Sequence, residues 1–273
     1  MSPAQPPSPA SEPTIGRLFD LTGKRALITG ASGYLGGAMA RALAEAGAAV
    51  VTTSRDIERA RTAAVGLPSP GGARHLGAVL DQTLAENLDE QFAEAVDLAG
   101  PIDILINNGH SGDVADWSTV TPEQFNRQLS NATGYFVLAR LLRNHAVERS
   151  ASASIVMLGS MYGLVGSYPD AYADICPASP VAYHALKGGI VQMTRHLGVY
   201  WAKDKVRVNC LSPGPFPPDR ISRELVDRLS AKSPMGRMGR PDELKGAVAF
   251  LASDASSYMT GQNLVIDGGW TAW

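Results

Sequence analysis

Short runs of β-branched and leucine-rich residues alternate along this chain with longer stretches whose apolar positions recur every three or four residues, and the alternation sets in near Arg25. Residues 26–29 (Ala-Leu-Ile-Thr) and 49–53 (Ala-Val-Val-Thr-Thr) have the length and side chains of strands, and 103–107, 154–158, 206–210 and 263–266 repeat the pattern. Between and after them the spacing predicts helices over 35–47, 56–65, 84–99, 122–149, 181–202 and 241–252. A helix that connects two strands must pack on the sheet those strands form. The order therefore predicts an α/β fold, a doubly wound parallel sheet with helices on both faces. Ligands in such a sheet bind beyond the carboxyl ends of the strands.

No internal repeat or linker breaks the alternation, and the proline-rich stretch 212–218 is short enough for a loop. A single domain over 18–273 is expected, preceded by a disordered Pro/Ser-rich tail over 1–17 that has neither a basic start nor an apolar core. Composition narrows the partners. The 273 residues are 45% apolar with a formal charge of −2 and no run of basic residues, which argues against nucleic acid and anionic membrane surfaces. No apolar run approaches the ~20 residues of a membrane helix. The two cysteines, Cys176 and Cys210, are far apart, and no metal-ligand spacing occurs, so neither a disulfide framework nor a metal site is expected and a cytoplasmic location fits.

The chemistry concentrates in three places. Thr29-Gly30-Ala31-Ser32-Gly33-Tyr34-Leu35-Gly36 follows the first strand and opens a helix, the context in which glycines allow close backbone approach and a helix N-terminus offers free N–H groups to a pyrophosphate. The second strand ends in Ser54 and Arg55, where a carboxylate would hold the ribose hydroxyl of NAD. Serine and arginine suit a 2′-phosphate, so NADP is the expected cofactor and NAD the alternative; Arg55 could instead be a solvated residue capping the next helix. Finally, Tyr183 and Lys187 stand four apart on a predicted helix, on one face, with Ser160 upstream. An ammonium beside a phenol favours the phenolate, so Lys187 is expected to lower the Tyr183 pKa and make its oxygen a proton carrier.

From about Leu18 to Gly269 the chain resembles the short-chain dehydrogenase/reductase family, whose fold is a single-domain Rossmann-type sheet. Asp81 falls where the family's adenine-contacting aspartate follows the third strand. Asn107-Asn108-Gly109-His110 stands where the family has Asn-Asn-Ala-Gly. Asn209, Pro213 and Gly214 match an Asn-x-x-x-Pro-Gly element, and Asp267-Gly268-Gly269 matches the closing strand. The resemblance implies a catalytic tetrad of Asn131, Ser160, Tyr183 and Lys187. It also implies cofactor contacts from Gly30, Ser32, Gly33, Tyr34, Leu35 and Gly36, from Ser54, Arg55, Asp81 and Gln82, from Asn108 and Gly109, and from Pro213, Gly214 and Phe216 besides Tyr183 and Lys187. Tyr183 would move the proton, Lys187 would hold the nicotinamide ribose, Ser160 would stabilise the substrate oxygen, and Asn131 would position a water and lysine relay. The implied activity is interconversion of a secondary alcohol and a ketone. A homo-oligomer, tetramer or dimer, is implied as well.

Three departures stand out. Tyr34 occupies the place of a second glycine, leaving a Gly-x-x-Gly-x-x-Gly spacing typical of the family's extended branch of epimerases and dehydratases. His110 replaces a small residue beside the cofactor ribose; a lone histidine is more often packed or solvent-facing than a catalyst. Ser160 and Tyr183 lie 23 positions apart, a longer interval than is usual in the family, so an extra segment over 166–179 is expected at the substrate mouth. Its tyrosines and aspartates would suit a polar, sugar- or polyol-like substrate, or would simply face water. The rival from another class is a non-catalytic dinucleotide-binding sensor or scaffold, which has no chemical need of the tetrad.

Overall fold

The computed structural model describes residues 12–112 and 115–272, so residues 1–11 of the expected tail lie outside the described residues. The tail's end is helical. The Thr14 hydroxyl accepts from the Arg17 amide at 3.3 Å and caps a short helix, α1 (Ile15–Phe19).

Seven strands follow: β1 (Arg25–Thr29), β2 (Ala49–Ser54), β3 (Leu76–Val79), β4 (Ile104–Asn107), β5 (Ala153–Leu158), β6 (Val206–Pro213) and β7 (Asn263–Ile266). They form one sheet in the order β3-β2-β1-β4-β5-β6-β7, parallel throughout. The connecting helices are α2 (Tyr34–Glu45), α3 (Ile57–Val65), α4 (Leu88–Ala99), α5 (Pro122–Glu148), α6 (Pro169–Tyr172), α7 (Val181–Trp201), α8 (Arg223–Lys232) and α9 (Lys245–Ala252). The expected doubly wound sheet is present.

The central strands are apolar on both faces because both faces are covered. Ala26 and Ile28 of β1 pack with Met39 and Leu43 of α2 and with Val248 and Leu251 of α9, whereas Leu27 between them belongs to the opposite core, with Leu138 and Leu142 of α5 and Ile190 of α7. Each such leucine or isoleucine contributes ~1.5–3 kcal/mol by leaving water. Phe19 of α1 sits 6.4 Å, ring to ring, from Phe250 of α9, so the first helix docks on the layer of α2 and α9. The long α5 starts where Thr121 and Gln124 close a capping box ahead of Pro122.

Besides the short α1 and α6, two elements lie outside the expected pattern. β3 has four residues at the sheet edge, and its Gly77 is pressed on α3: a Cβ there would sit 2.6 Å from the Ala60 carbonyl carbon. α8 is mostly polar and buries only Leu225 and Leu229. The helices expected over 84–99 and 241–252 each begin with a 3-10 turn, Ala85–Asn87 and Pro241–Leu244, before becoming α4 and α9.

α8 and the extra segment make a third core together with Trp270, Met161 and Tyr162. Arg228 of α8 donates to the Ala173 carbonyl at 2.7 Å, Lys232 pairs with Asp170 at 2.5 Å, and the Tyr162 and Tyr172 hydroxyls are hydrogen-bonded at 2.6 Å. Tyr168 packs on the Trp270 ring at 5.3 Å. Of the polar groups expected to rim a substrate mouth, Asp170 is thus spent on α8 and Tyr172 on Tyr162. None of Tyr168, Asp170, Tyr172 and Asp174 lines the main cleft.

Candidate functional site

The chain leaves β1 in one direction and β4 in the other, and the crevice that results at their carboxyl ends is the natural ligand site of a doubly wound sheet. A cleft of about 690 Å³ lies there. Its volume falls within the ~300–1,000 Å³ of small-molecule and cofactor sites. Of the tetrad and cofactor-contact residues expected from the sequence, every one except Asn131 lines it.

The turn after β1 is a cradle with no room for a side chain at Gly30 or Gly36. Gly30 has φ +66°, a conformation that favours glycine, and a Cβ on Gly36 would press into the Gly30 carbonyl and come within 2.7 Å of Asn108 Nδ2. That amide donates to the carbonyls of Thr29 and Gly30 at 2.9 and 3.2 Å, while the Thr29 hydroxyl accepts from the amides of Asn108 and Gly109 at 2.9 and 2.7 Å. The loops after β1 and β4 are thereby locked together. At the start of α2 the N-cap Gly33 offers no side-chain cap, so the first-turn N–H groups remain for an anion.

At the far end of the cleft, Asp56 rather than Arg55 caps α3: its Oδ1 accepts from Glu58 N at 2.9 Å. Arg55 is exposed into the cleft and has no ion pair among the described residues. Arg59, one turn further along α3, lines the same end, 3.8 Å from the Asp56 carboxylate. Nothing in the sequence pointed to Arg59, although its i+4 spacing from Arg55 was visible.

At the other end, Ser160, Tyr183 and Lys187 converge on one wall, brought there by the end of β5 and the first turns of α7. Lys187 is almost fully buried, and its Nζ donates to the Leu158 carbonyl at 2.7 Å, 5.5 Å from the Tyr183 ring centroid. Burial lowers the Lys187 pKa to about 8. The shift expected for Tyr183 runs the other way: burial raises it, and a hydrogen bond with Ser160 offsets that in part. Desolvation of the phenolate outweighs that hydrogen bond.

Asn131 is buried behind the wall, and its side-chain amide is engaged by neighbouring groups. Its Oδ1 accepts from Ser111 N at 3.0 Å and Gln82 Nε2 at 3.1 Å; its Nδ2 donates to the carbonyls of Ser111 and Gln128 at 2.6 and 2.9 Å. All four sites of the amide are used, which leaves none for a relay water. Gln82 Nε2 also donates to the Gly109 carbonyl. Residues 109 and 111 are therefore pinned on either side of His110. The His110 ring stands edge-on to Tyr183 at 5.4 Å and meets Gln128 Nε2 at 2.6 Å. Crowding by the cleft walls and the positive Lys187 lower its pKa to about 4. Gln128 and Ser111 escaped the sequence reading because nothing in their local pattern marks them.

A family model described as enoyl-(acyl carrier protein) reductase matches residues 30–271. The solved structure of a short-chain type dehydrogenase/reductase from Mycobacterium marinum is 35% identical, covers 94% of this chain and 98% of its own, and superposes with a TM-score of 0.82. The chain belongs to the short-chain dehydrogenase/reductase family. This short-chain dehydrogenase/reductase is also 36% identical to the galactitol 2-dehydrogenase (L-tagatose-forming) of Cereibacter sphaeroides, over 94% of this chain and 98% of that protein. It matches a gluconate 5-dehydrogenase from Burkholderia cenocepacia, solved with NADP and tartrate, at 31% identity and a TM-score of 0.85, over 95% and 100% of the two chains. Named relatives are dehydrogenases and reductases; the chain is an oxidoreductase, and the sensor and epimerase readings have no support among them. Among the described residues no helix is long and apolar enough to cross a membrane, and no group of metal-ligating side chains gathers.

Proposed function

We propose that this protein is an NADP(H)-preferring alcohol dehydrogenase/ketoreductase that interconverts a secondary alcohol and a ketone on a polyol or sugar-like substrate. The observation that supports it most is the convergence of Ser160, Tyr183 and Lys187 on one wall of a cleft whose other end is the glycine-rich turn after β1. The relatives that act on galactitol and gluconate support the substrate class.

Gly30, Ser32, Gly33, Tyr34, Leu35 and Gly36 would hold the pyrophosphate, Asp81 and Gln82 the adenosine side, and Arg55 with Arg59 a 2′-phosphate; Asn108, Gly109, Pro213, Gly214 and Phe216 complete the contacts. The fit rests on the open α2 N-terminus, the absence of room at Gly36 and two guanidiniums where NAD would need a carboxylate. A bound nicotinamide supplies the hydride chemistry. Ser160 then hydrogen-bonds the substrate oxygen, and Tyr183 gives that oxygen its proton in reduction or removes it in oxidation. Burial keeps Tyr183 protonated in the free cleft, ready to donate. In the oxidative direction the phenolate is favoured by the Lys187 ammonium, which has two N–H groups beyond the one given to Leu158. Asn131 holds the 109–111 backbone that forms the opposite wall.

A single domain from the first helix onward, a cytoplasmic location and a homo-oligomer, tetramer or dimer, complete the reading. The test is a screen of the purified protein with NADP(H) and NAD(H) against polyols, sugars, sugar acids, simple ketones, steroids and acyl thioesters, followed at the nicotinamide absorbance. Turnover of polyols or ketoses, faster with NADP(H), is expected; a best substrate that is a steroid or acyl thioester would overturn the substrate class.

A further inference from the structure

His110 stands where the active-site wall meets the reacting phenol, and the way it is held carries an inference about which substrates fit. Its backbone neighbours are fixed twice over, Gly109 through Gln82 and Ser111 through Asn131, so the ring is presented from a rigid stretch. One ring nitrogen, Nε2, is consumed by Gln128, whose side chain is buried on α5 one turn before Asn131. The other, Nδ1, has no partner among the described residues, and the ring lies in the cleft edge-on to Tyr183.

The Gln128 amide can offer its N–H or, turned over, its oxygen. In the first arrangement Nδ1 carries the ring proton and donates; in the second it is a bare acceptor. A hydroxyl group, which both donates and accepts, satisfies either arrangement. The depressed pKa keeps the imidazole neutral near pH 7, so it offers a hydrogen bond and no charge for a carboxylate.

We propose that His110, positioned by Gln128, is a specificity-determining residue that hydrogen-bonds a second hydroxyl of the substrate, on the carbon next to the one being oxidised or reduced. The site then selects vicinal diols and α-hydroxyketones over lone secondary alcohols and ketones. This rests on the oxidoreductase reading above and names what that site prefers.

The experiment compares kcat/KM for one polyol that the enzyme accepts with that for a lone secondary alcohol, cyclohexanol, in wild type, His110→Ala, His110→Asn, His110→Gln and Gln128→Leu, with cofactor Kd measured on each. Removing a hydrogen bond to a substrate hydroxyl weakens selection by about 10- to 100-fold. His110→Ala is expected to reduce the polyol-to-cyclohexanol ratio by that factor, mainly through the KM for the polyol. His110→Asn places an amide near the Nδ1 position and is expected to recover most of the ratio; His110→Gln, whose amide reaches the Nε2 position, is not. Gln128→Leu frees the ring and is expected to give an intermediate loss.

Equal losses on both substrates would make His110 a structural residue and overturn the inference, as would an unchanged ratio. If His110→Ala does not fold, the contrast between Asn and Gln decides: equal ratios overturn it. Wild-type enzyme that oxidises cyclohexanol but no polyol would overturn both this inference and the substrate class proposed above. Wild-type turnover of a polyol with a ratio insensitive to residue 110 would overturn the inference alone.

Discussion

Gly36→Ala puts one methyl group into the cradle and tests whether that cradle holds the cofactor. The new Cβ would press on the Gly30 carbonyl oxygen, 2.9 Å from that carbonyl's carbon and 2.7 Å from Asn108 Nδ2. Restoring ordinary contact near ~3.5 Å requires the Gly30 carbonyl or the Asn108 amide to retreat by several tenths of an ångström or more. Either movement disturbs the bonds by which Asn108 ties Thr29 and Gly30 to the β4 loop, of 2.9 and 3.2 Å. Overpacking of this kind costs about 1–3 kcal/mol, and a weakened hydrogen bond about 1 more. If the strain falls on the free protein, Tm should drop by roughly 2–4 °C for each kcal/mol. If it is taken up by displacing the cradle, the cofactor Kd should rise by about 10- to 100-fold, corresponding to ~1.4–2.8 kcal/mol. Gly37→Ala is the control: its Cβ would stand 3.5 Å from the Ala31 carbonyl oxygen, an ordinary contact, and alanine is the better helix former. NADPH fluorescence titration and thermal unfolding read both effects. A Gly36→Ala protein that binds and melts like the parent, or a Gly37→Ala protein equally damaged, would refute the reasoning.

Arg55→Ala and Arg59→Ala should each lower kcat/KM for NADP(H) by about tenfold or more while changing NAD(H) little, since a charge-assisted contact contributes ~1.5–3 kcal/mol; equal losses with both cofactors would remove the guanidiniums from the 2′-phosphate site. The pH dependence of stability should carry a Lys187 contribution. Its folded pKa is about 8 against an ordinary 10.5, so the unfolded chain binds more protons between those values and this contribution to stability rises with pH across that window. Lys187→Met should accordingly lose most of its stability advantage over wild type as pH rises from 8 to 10.5, and a difference in Tm independent of pH would contradict the burial argument. Tyr172→Phe removes the hydroxyl bonded to Tyr162 at 2.6 Å and should lower Tm by a few degrees, for a loss of roughly 1 kcal/mol, with cofactor Kd unaltered; a Kd shift instead would place the extra segment in the cofactor site.

The sheet was legible because strands packed against helices carry short runs rich in β-branched and apolar residues, and six of the seven strands among the described residues announce themselves that way. β3 did not: four residues at an edge, with a glycine pressed on α3, give no periodicity to read. α8 hides for a related reason, since only two of its ten residues are buried. The cleft residues were legible where a backbone requirement fixes the residue type, as at Gly30 and Gly36, or where a spacing puts two groups on one helix face, as with Tyr183 and Lys187. What stayed hidden depends on three-dimensional neighbours. The four bonds of Asn131, the Gln128–His110 contact and the engagement of Asp170 with Lys232 join residues whose separations along the chain carry no pattern. The Tyr183 pKa was misjudged for the same reason, because a sequence shows the lysine but not the desolvation that opposes it.

Tyr183→Phe removes one oxygen atom and tests directly whether Tyr183 is the proton carrier for hydride transfer in this chain. With the best polyol or ketose from the substrate screen, single-turnover oxidation or reduction should be followed at the nicotinamide absorbance, and cofactor Kd measured on the same preparation. Turnover should fall by about 100-fold or more, with Kd within a few-fold of wild type. Near-normal turnover by a folded, cofactor-binding Tyr183→Phe protein would contradict it.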